Sequence, residues 1–145
     1  GKALPECWTE FAKTLKRPLD ESRIRLYEDR LYLLPEELVR QNIRGLRFLR
    51  TGLYLGEIKG KRFEPSQALA MWLRKEEAAL SVDFPAEDGR VIRYLKGETL
   101  DVEDLSLPPK ASGWVLVCVD GFPLGWAKLS GGMLKNKYYP GWRWQ

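Results

Sequence analysis

The first third of the chain passes from helical spacing to strand alternation. Trp8, Phe11 and Leu15 recur at the spacing of one helix face after Pro5, a residue that suits the first turn of a helix. Residues 23–34 then alternate polar and apolar side chains on both sides of a Glu-Asp turn. The pattern predicts an amphipathic helix that ends near residue 17, with its aromatic face in the core, and a β-hairpin after it.

The middle of the chain mixes strand and helix signals. Between residues 45 and 60, glycines recur among apolar residues, which favours bent or bulged strands over a helix. A helix is predicted from residue 65 to about residue 75. The acidic segment 76–88 follows it and is predicted to join two modules.

A second short helix is predicted over residues 86–96. Its apolar spacing predicts that it buries Val91, Ile92 and Leu95 and ends at Gly97, a residue that suits a left-handed cap. The next segment, up to Pro109, is acidic and contains prolines, so we expect it to be exposed. The fold class predicted for the whole chain is α+β.

The last stretch of the chain predicts a β-hairpin. Residues 114–119 form an apolar run typical of a buried strand, and an Asp-Gly pair follows, which is the strongest short-range hairpin signal. Residues 122–129 are therefore expected to fold back as the partner strand. Pro123 lacks a backbone donor and Gly125 favours close backbone approach, so we expect an edge or a bulge at this point.

The charge of the chain is concentrated after this turn. From Gly121 onward there are four basic residues, six aromatic residues and no acidic residue, whereas the preceding residues carry equal numbers of both charges. Cations among aromatic rings suit a polyanion with flat bases, such as single-stranded or looped RNA. The candidates for RNA contact in this tail are Trp126, Lys128, Lys135, Lys137, Tyr138 and Arg143.

In this interpretation the cations hold phosphates, and Trp126 or Tyr138 stacks on an unpaired base. The alternative is that the aromatic residues close a small β-barrel and the lysines protect a strand edge.

A second basic cluster lies between residues 40 and 62, where seven cations accompany one carboxylate. Because a cation placed on a phosphate releases counterions, this cluster is a second candidate for phosphate contact. Its candidate residues are Arg44, Arg47, Arg50 and Arg62. The alternative is that these side chains are the solvated outward positions of strands.

Composition excludes several classes of chemistry. The chain has no histidine, so it has no Ser-His or Cys-His nucleophile pair and no imidazole for zinc or proton transfer. It also lacks a Gly-rich phosphate loop and a serine elbow. The adjacent acidic pairs at 36–37, 76–77 and 87–88 are typical of solvated surface. We therefore expect no catalytic residue, metal site or cofactor site on this chain.

The sequence also indicates the compartment of the protein. Cys7 and Cys118 lie far apart, which fits a reducing compartment such as the cytoplasm. No apolar run approaches the roughly 20 residues that cross a bilayer. These features predict a cytoplasmic protein with no membrane partner.

Several strings resemble one enzyme family. The string RFEPSQALA at 62–70, preceded by GLYLGE at 52–57, resembles the first accessory domain of RsmF-type rRNA cytosine-5 methyltransferases of the Sun family. The strings RYLKGE at 93–98, VDGFPLGWAK at 119–128 and LKNK at 134–137 resemble their terminal PUA-like RNA-binding domain. The resemblance covers nearly the whole chain.

The resemblance implies a small mixed α/β module over residues 1–82 and a PUA-like β-barrel over residues 83–145. Both would position rRNA, or the ribosomal subunit, for a catalytic domain that uses S-adenosylmethionine. In the barrel motif the matching positions are Trp126, Lys128, Lys135, Asn136 and Lys137, and in the first module they are Arg62 and Ser66.

This sequence departs from the family in two respects. The catalytic half is absent, and neither Cys7 nor Cys118 stands in the Pro-Cys or Thr-Cys context of the family's cysteines. Family members also often carry a histidine near the proline that is Pro140 here.

Three hypotheses follow. The first is an RNA-binding module that acts with the missing catalytic domain in cis. The second is a structural module that packs on that domain or on the ribosome without touching RNA. The third is a self-contained enzyme, for which the sequence offers no suitable cluster of residues.

Overall fold

The alternating segments at the start of the chain form an antiparallel sheet in the computed structural model, which describes residues 3–40 and 51–145. The predicted hairpin is confirmed, since Ile24 pairs with Leu33 and Tyr27 with Arg30. The strands, in their order across the sheet, are β1 (Ile24–Tyr27), β2 (Arg30–Leu33), β3 (Leu53–Lys59) and β4 (Arg62–Pro65).

Helix α1 (Glu6–Ala12) supplies the aromatic part of this unit's core. Trp8 and Phe11 are buried, and their ring centroids lie 5.2 and 4.9 Å from that of Phe63 on β4. The helix ends earlier than predicted because the Thr14 hydroxyl donates a 2.6 Å hydrogen bond to the Phe11 carbonyl, which closes the last turn. The predicted core role of the aromatic face is confirmed.

Two further helices each follow a strand of this sheet in sequence. Helix α2 (Glu36–Arg40) follows β2, and helix α3 (Gln67–Trp72) follows β4. Helix α3 begins later than predicted because Pro65 is still part of β4. Ser66 precedes the helix, and its hydroxyl oxygen accepts a 3.0 Å hydrogen bond from the Leu69 N–H while donating to the Tyr54 carbonyl. This buried serine therefore fixes the change from strand to helix.

The predicted bulge among the glycines occurs at Gly56. The β2–β3 register shifts beside it, and its φ of +155° is one that side chains rarely adopt. A Cβ at this position would lie 2.3 Å from the Glu64 carbonyl oxygen, so only glycine fits.

A second sheet, of five strands, is built from the rest of the chain in the order β5-β7-β8-β9-β6. Strand β5 runs parallel to β7, and the other neighbours are antiparallel. The strands are β5 (Ser81–Phe84), β6 (Leu100–Asp101), β7 (Gly113–Val119), β8 (Phe122–Ser130) and β9 (Met133–Asn136). The mixture of helices and strands in the chain confirms the predicted α+β class.

The terminal hairpin is confirmed as the joint between β7 and β8. Asp120 and Gly121 both have positive φ, as a two-residue hairpin turn requires. The register then shifts, because Cys118 pairs with Pro123 whereas Val117 pairs with Gly125. Leu124 is thus the extra residue of a β-bulge, which confirms the bulge expected beside Pro123.

Helix α4 (Gly89–Leu95) follows β5 and packs on the core of this sheet. The Asp88 carboxylate caps its first turn by accepting from the Arg90 N–H at 2.8 Å. Its end confirms the prediction for Gly97, whose φ is +89° and whose N–H donates to the Tyr94 carbonyl. The prediction that Ile92 is buried is wrong: Ile92 is exposed, and Tyr94, on the other side of the helix, enters the core.

The chain divides into two compact units, Gly1–Leu69 and Ala70–Gln145. The predicted division between residues 82 and 83 falls within β5, which pairs with β7 along its whole length. Our prediction of module boundaries therefore differs from the division into compact units.

Candidate nucleic-acid interface

A row of three side chains crosses the second sheet on one face. Trp114 on β7 lies opposite Lys128 on β8, and Lys128 lies opposite Lys135 on β9. The intervening residues of β7 and β8, such as Val115 and Ala127, point to the other face and form the core. The row therefore lies on the face away from that core.

The row places a cation over an aromatic ring. The Lys128 Nζ atom lies 5.4 Å from the centroid of the Trp114 ring, within the range of a cation–π interaction. Trp126 meets Trp114 edge-on with centroids 6.4 Å apart, which holds the Trp114 ring in place. Within the described residues, no carboxylate forms an ion pair with Lys128 or Lys135. Both charges are therefore available to an anion.

Two aromatic residues predicted to stack a base are buried. Trp126 is 2% exposed and Tyr138 is 8% exposed. Tyr138 packs against Tyr94 with ring centroids 5.3 Å apart, and burial raises its pKa. The predicted stacking role of Trp126 and Tyr138 is corrected accordingly, because neither ring offers a free face in this structure. Trp126 instead packs edge-on against Trp114, and Tyr138 packs on Tyr94 in the core.

Asn136 is also buried, and all of its hydrogen-bonding groups face the protein. Its Nδ2 donates to the carbonyls of Tyr94 and Glu98 at 2.8 and 2.9 Å, and its Oδ1 accepts from the Tyr138 N–H at 2.8 Å. The side chain thus ties strand β9 to the end of α4 and to the start of the tail. Its predicted contact with RNA is corrected to this structural role.

The remaining cations of the tail differ in position. Lys137 is half-buried, and its N–H donates to the Trp126 carbonyl at 3.1 Å. The Arg143 side chain lies over Gly97, where an added Cβ would meet its Cδ at 2.7 Å. A cation at this place complements the carbonyl end of α4. Arg143 therefore lies at the end of helix α4, and its Nε is buried with no partner among the described residues.

The first unit has a small basic cluster at the β3–β4 turn. Arg62 is exposed, and it pairs across the turn with Lys59, whose Nζ lies 3.1 Å from a Glu64 carboxylate oxygen. Lys61 is exposed between them. The predicted contacts of Arg44, Arg47 and Arg50 fall on residues 41–50, outside the described residues.

Four aromatic residues of the second unit do not stand among the predicted contacts. The sequence predicts only a strand position for Trp114 and no position for Tyr139, Trp142 and Trp144. The last three are each about half exposed. Pro140 and Gly141 between them were the available signal, because they predict a turn that holds the neighbouring rings at the surface.

Other classes of site are absent from the part of the chain that the structure describes. No group of three or more acidic or cysteine side chains there could hold a metal ion. None of the helices in residues 3–40 and 51–145 has the length and apolar composition of a membrane span. Burial raises the pKa of the Cys118 thiol to about 12, so this cysteine is a poor nucleophile near neutral pH.

Comparison with known families identifies both parts of the chain. Residues 10–73 match the RsmF rRNA methyltransferase first C-terminal domain, and residues 81–144 match the methyltransferase RsmF PUA domain. The chain therefore belongs to the RsmF family, as a part of its C-terminal region. The resemblance of the sequence strings is confirmed, and the five-stranded sheet is consistent with the predicted PUA-like module.

Curated RsmF relatives agree with this assignment. The Ribosomal RNA small subunit methyltransferase F of Shewanella oneidensis is 30% identical over 126 residues, and that of Shewanella putrefaciens is 31% identical over 127 residues. Each alignment covers 87% of this chain. The chain spans about a quarter of the length of these relatives, 25% in both cases.

Proposed function

We propose that this chain is the RNA-binding C-terminal region of a cytoplasmic rRNA cytosine-5 methyltransferase. In this proposal the second unit holds phosphates of small-subunit rRNA, and the catalytic domain that modifies the cytosine lies in cis, outside this chain. The chain itself binds RNA and transfers no methyl group.

The observation that carries the proposal is the row of Trp114, Lys128 and Lys135. Two unpaired lysines on adjacent strands lie opposite one another, about 5 Å apart in the strand-to-strand direction. Two lysine side chains on neighbouring strands can reach phosphates of one RNA strand, and such contacts position the backbone without reading sequence. The chain has no acidic residue from Gly121 onward, so strands β8 and β9 contribute no carboxylate beside the two lysines.

The cofactor implied by the family, S-adenosylmethionine, does not fit the described residues. The first sheet is wholly antiparallel, and the second has a single parallel pair, whereas this cofactor class binds at the carboxyl edge of a doubly wound parallel sheet. We assign the cofactor to the parent enzyme and give it no role on this chain.

A salt titration tests the proposal. We expect the chain to bind stem-loop fragments of small-subunit rRNA saturably, with an affinity that falls steeply between about 50 and 200 mM salt. The variant Lys128→Gln/Lys135→Gln should lower the slope of log affinity against log salt by about 1.4, because each lost phosphate contact removes about 0.7. Fluorescence anisotropy of a labelled fragment measures both quantities.

A matched control variant loses two positive charges at positions outside the row. Lys16 and Lys110 are exposed and lie outside the row, so Lys16→Gln/Lys110→Gln should change the slope less. An affinity that does not respond to salt, or equal effects of the two double variants, would overturn the role of the row.

One observation favours a second function, protein contact through the first unit. An open groove of about 860 Å³ runs along β1, lined by Leu4, Pro5, Ile24 and Leu26, and Leu26 is exposed on this edge strand. An apolar strand edge is a common place for another protein surface to dock. If the chain acts only by such packing, the RNA titration will show no saturable binding.

A further inference from the structure

The chain after β9 is held firmly against helix α4. The Tyr138 N–H is fixed by Asn136, and the Trp144 N–H donates a 2.8 Å hydrogen bond to the Leu95 carbonyl. Between these points a 3-10 turn, Pro140–Trp142, is closed by the bond from the Trp142 N–H to the Tyr139 carbonyl at 3.0 Å. Both ends of the segment and its central turn are therefore anchored.

Three aromatic rings of this anchored segment remain exposed. Tyr139 is 50%, Trp142 52% and Trp144 52% exposed. Tyr139 and Trp142 meet edge-to-face, with centroids 5.8 Å apart and planes at 88°, and Tyr139 also rests against Gly141. An edge-to-face pair leaves a broad ring face uncovered. Large apolar rings held at the surface in this way are typical of a binding site.

The charges around the rings favour an anionic partner. Arg93 and Lys96 are exposed on the last turn of α4 and at its cap, next to the Leu95 carbonyl that holds Trp144. Arg143 lies between the two tryptophans in sequence, and Glu98 is the exposed carboxylate at this end of the helix. Aromatic faces among cations match a nucleic acid strand, which presents bases and phosphates together.

We propose that Tyr139, Trp142 and Trp144 form a stacking platform for unpaired RNA bases, an inference that rests on the proposed RNA-binding function. The platform supplies the base contact, and the row of Trp114, Lys128 and Lys135, on the face of the sheet away from helix α4, supplies phosphate contacts. Because the segment is already ordered, binding requires little further ordering of the protein. The RNA that fits is single-stranded or looped, since paired bases present no free face.

Two probes separate base stacking from charge. One is an oligoadenylate of about 12 nucleotides, within the usual site size for single strands. The other is an abasic ribose-phosphate oligomer of the same length, which has the same charge and no rings. We expect the chain to bind the oligoadenylate more tightly, and Trp144→Leu and Trp142→Leu each to weaken that binding by about 5- to 100-fold. Binding of the abasic oligomer should be unchanged.

The variants differ in their structural risk. Trp142 also contacts Tyr138 edge-on, with ring centroids 6.3 Å apart, so binding by Trp142→Leu is interpreted only after circular dichroism shows that the variant folds. The Trp144 side chain is half exposed and makes no ring contact among the described residues, so Trp144→Leu serves as the second variant. Phe122→Leu is the matched control, because Phe122 is an exposed aromatic residue at the β7–β8 turn, outside the platform.

The outcomes are distinct. Loss of oligoadenylate affinity with an unchanged salt slope supports the platform. Equal binding of both oligomers by the wild-type chain, with a normal salt response, overturns the platform and leaves the proposed function standing. Absence of saturable binding to any RNA overturns both. If RNA leaves the tryptophan emission unchanged, and the wild-type chain self-associates in gel filtration whereas Trp144→Leu does not, the rings form a protein contact and the platform is again overturned.

Discussion

At the scale of single residues, the structure separates residues that form a binding surface from residues that hold it in place. Asn136 and Lys135 are neighbours in the same strand and in the same family string, yet Lys135 is exposed and Asn136 is buried with three hydrogen bonds. The family string indicates that both positions are important, but it does not indicate the role of either residue. Burial and hydrogen bonding assign one to the surface and the other to the interior.

This difference predicts opposite phenotypes for two adjacent substitutions. Asn136→Ala removes the partners of the Tyr94 and Glu98 carbonyls and of the Tyr138 N–H, so it should lower the free energy of unfolding by about 2–4 kcal/mol. Lys135→Ala should change stability by less than about 0.5 kcal/mol and weaken RNA binding instead. Urea unfolding followed by tryptophan emission gives the first quantity, and RNA titration gives the second.

The reverse pattern would restore the role that the sequence predicted. If Asn136→Ala unfolds at the wild-type urea concentration but binds RNA more weakly, then the amide acts on the ligand and not on the end of helix α4.

The aromatic residues show how little of their exposure could be predicted from the sequence. Trp126 and Trp142 both follow a glycine in the basic tail, and their local patterns differ only in the predicted strand around Trp126 and the proline before Gly141. Trp126 is buried because it lies in a central strand, whereas Trp142 is exposed because its segment leaves the sheet and crosses the end of α4. That crossing depends on Asn136 and Leu95, which are distant in sequence.

At the scale of elements, one bulge decides which side chains share a face. A regular hairpin from the Asp-Gly turn would place Trp114 opposite Ala127 and leave Lys128 on the other face. The extra residue Leu124 shifts the register by one, so that Trp114 meets Lys128. Pro123 predicted a bulge near this point, but the sequence does not predict which residue is the extra one. The hairpin was therefore predictable, and the row of cations on it was not.

Helix α4 depends on a charged cluster at its start that the sequence analysis did not single out. The Arg90 guanidinium forms ion pairs with Asp88 at 2.9 Å and Asp104 at 2.8 Å and lies 4.7 Å from the Phe84 ring centroid. Hydrogen bonds from Arg90 lower the pKa values of the Asp88 and Asp104 carboxyls below their ordinary value of 3.8. The folded state therefore favours the ionised carboxylates.

The cluster predicts a defined pH dependence of stability. A carboxyl whose pKa is lower in the folded state contributes stability above its unfolded pKa and loses it as the pH falls through the folded value. Arg90→Gln should thus be less stable than the wild type at pH 7, and the difference should narrow as the pH falls below about 4. A smaller difference in stability, which comes from the lost contact with Phe84, should persist at low pH. Thermal unfolding by circular dichroism across this range measures both effects.

Lys96→Gln provides the comparison, since Lys96 is exposed at the other end of the same helix. Its stability to thermal unfolding should differ only slightly from that of the wild type, by an amount that stays the same between pH 5 and 3. A difference for Arg90→Gln that stays constant with pH would mean that the guanidinium acts by packing on Phe84 and not through the two carboxylates.

At the scale of the whole molecule, the α+β class and the family were accessible from the sequence, because strand alternation, the Asp-Gly turn and the family strings are local signals. The division into units was harder to predict. The acidic segment 76–88 looked like a connector, but β5 within it pairs in parallel with β7, more than 30 residues later. The sequence contains no local signal that predicts parallel pairing between strands so far apart in the chain.

The distribution of charge between the two units leads to the last prediction. Lys61 and Arg62 at the β3–β4 turn and Lys128 and Lys135 on the second sheet are separate sets of exposed or half-exposed cations. If one RNA contacts both, Lys61→Gln/Arg62→Gln should weaken binding, and its free-energy cost should add to that of Lys128→Gln/Lys135→Gln. The salt slope of the fourfold variant should fall by about 2.8, twice the effect of either pair, at about 0.7 per phosphate. If the first pair leaves both the affinity and the slope unchanged, RNA contact is confined to the second unit, and the first unit acts by protein contact through the groove along β1.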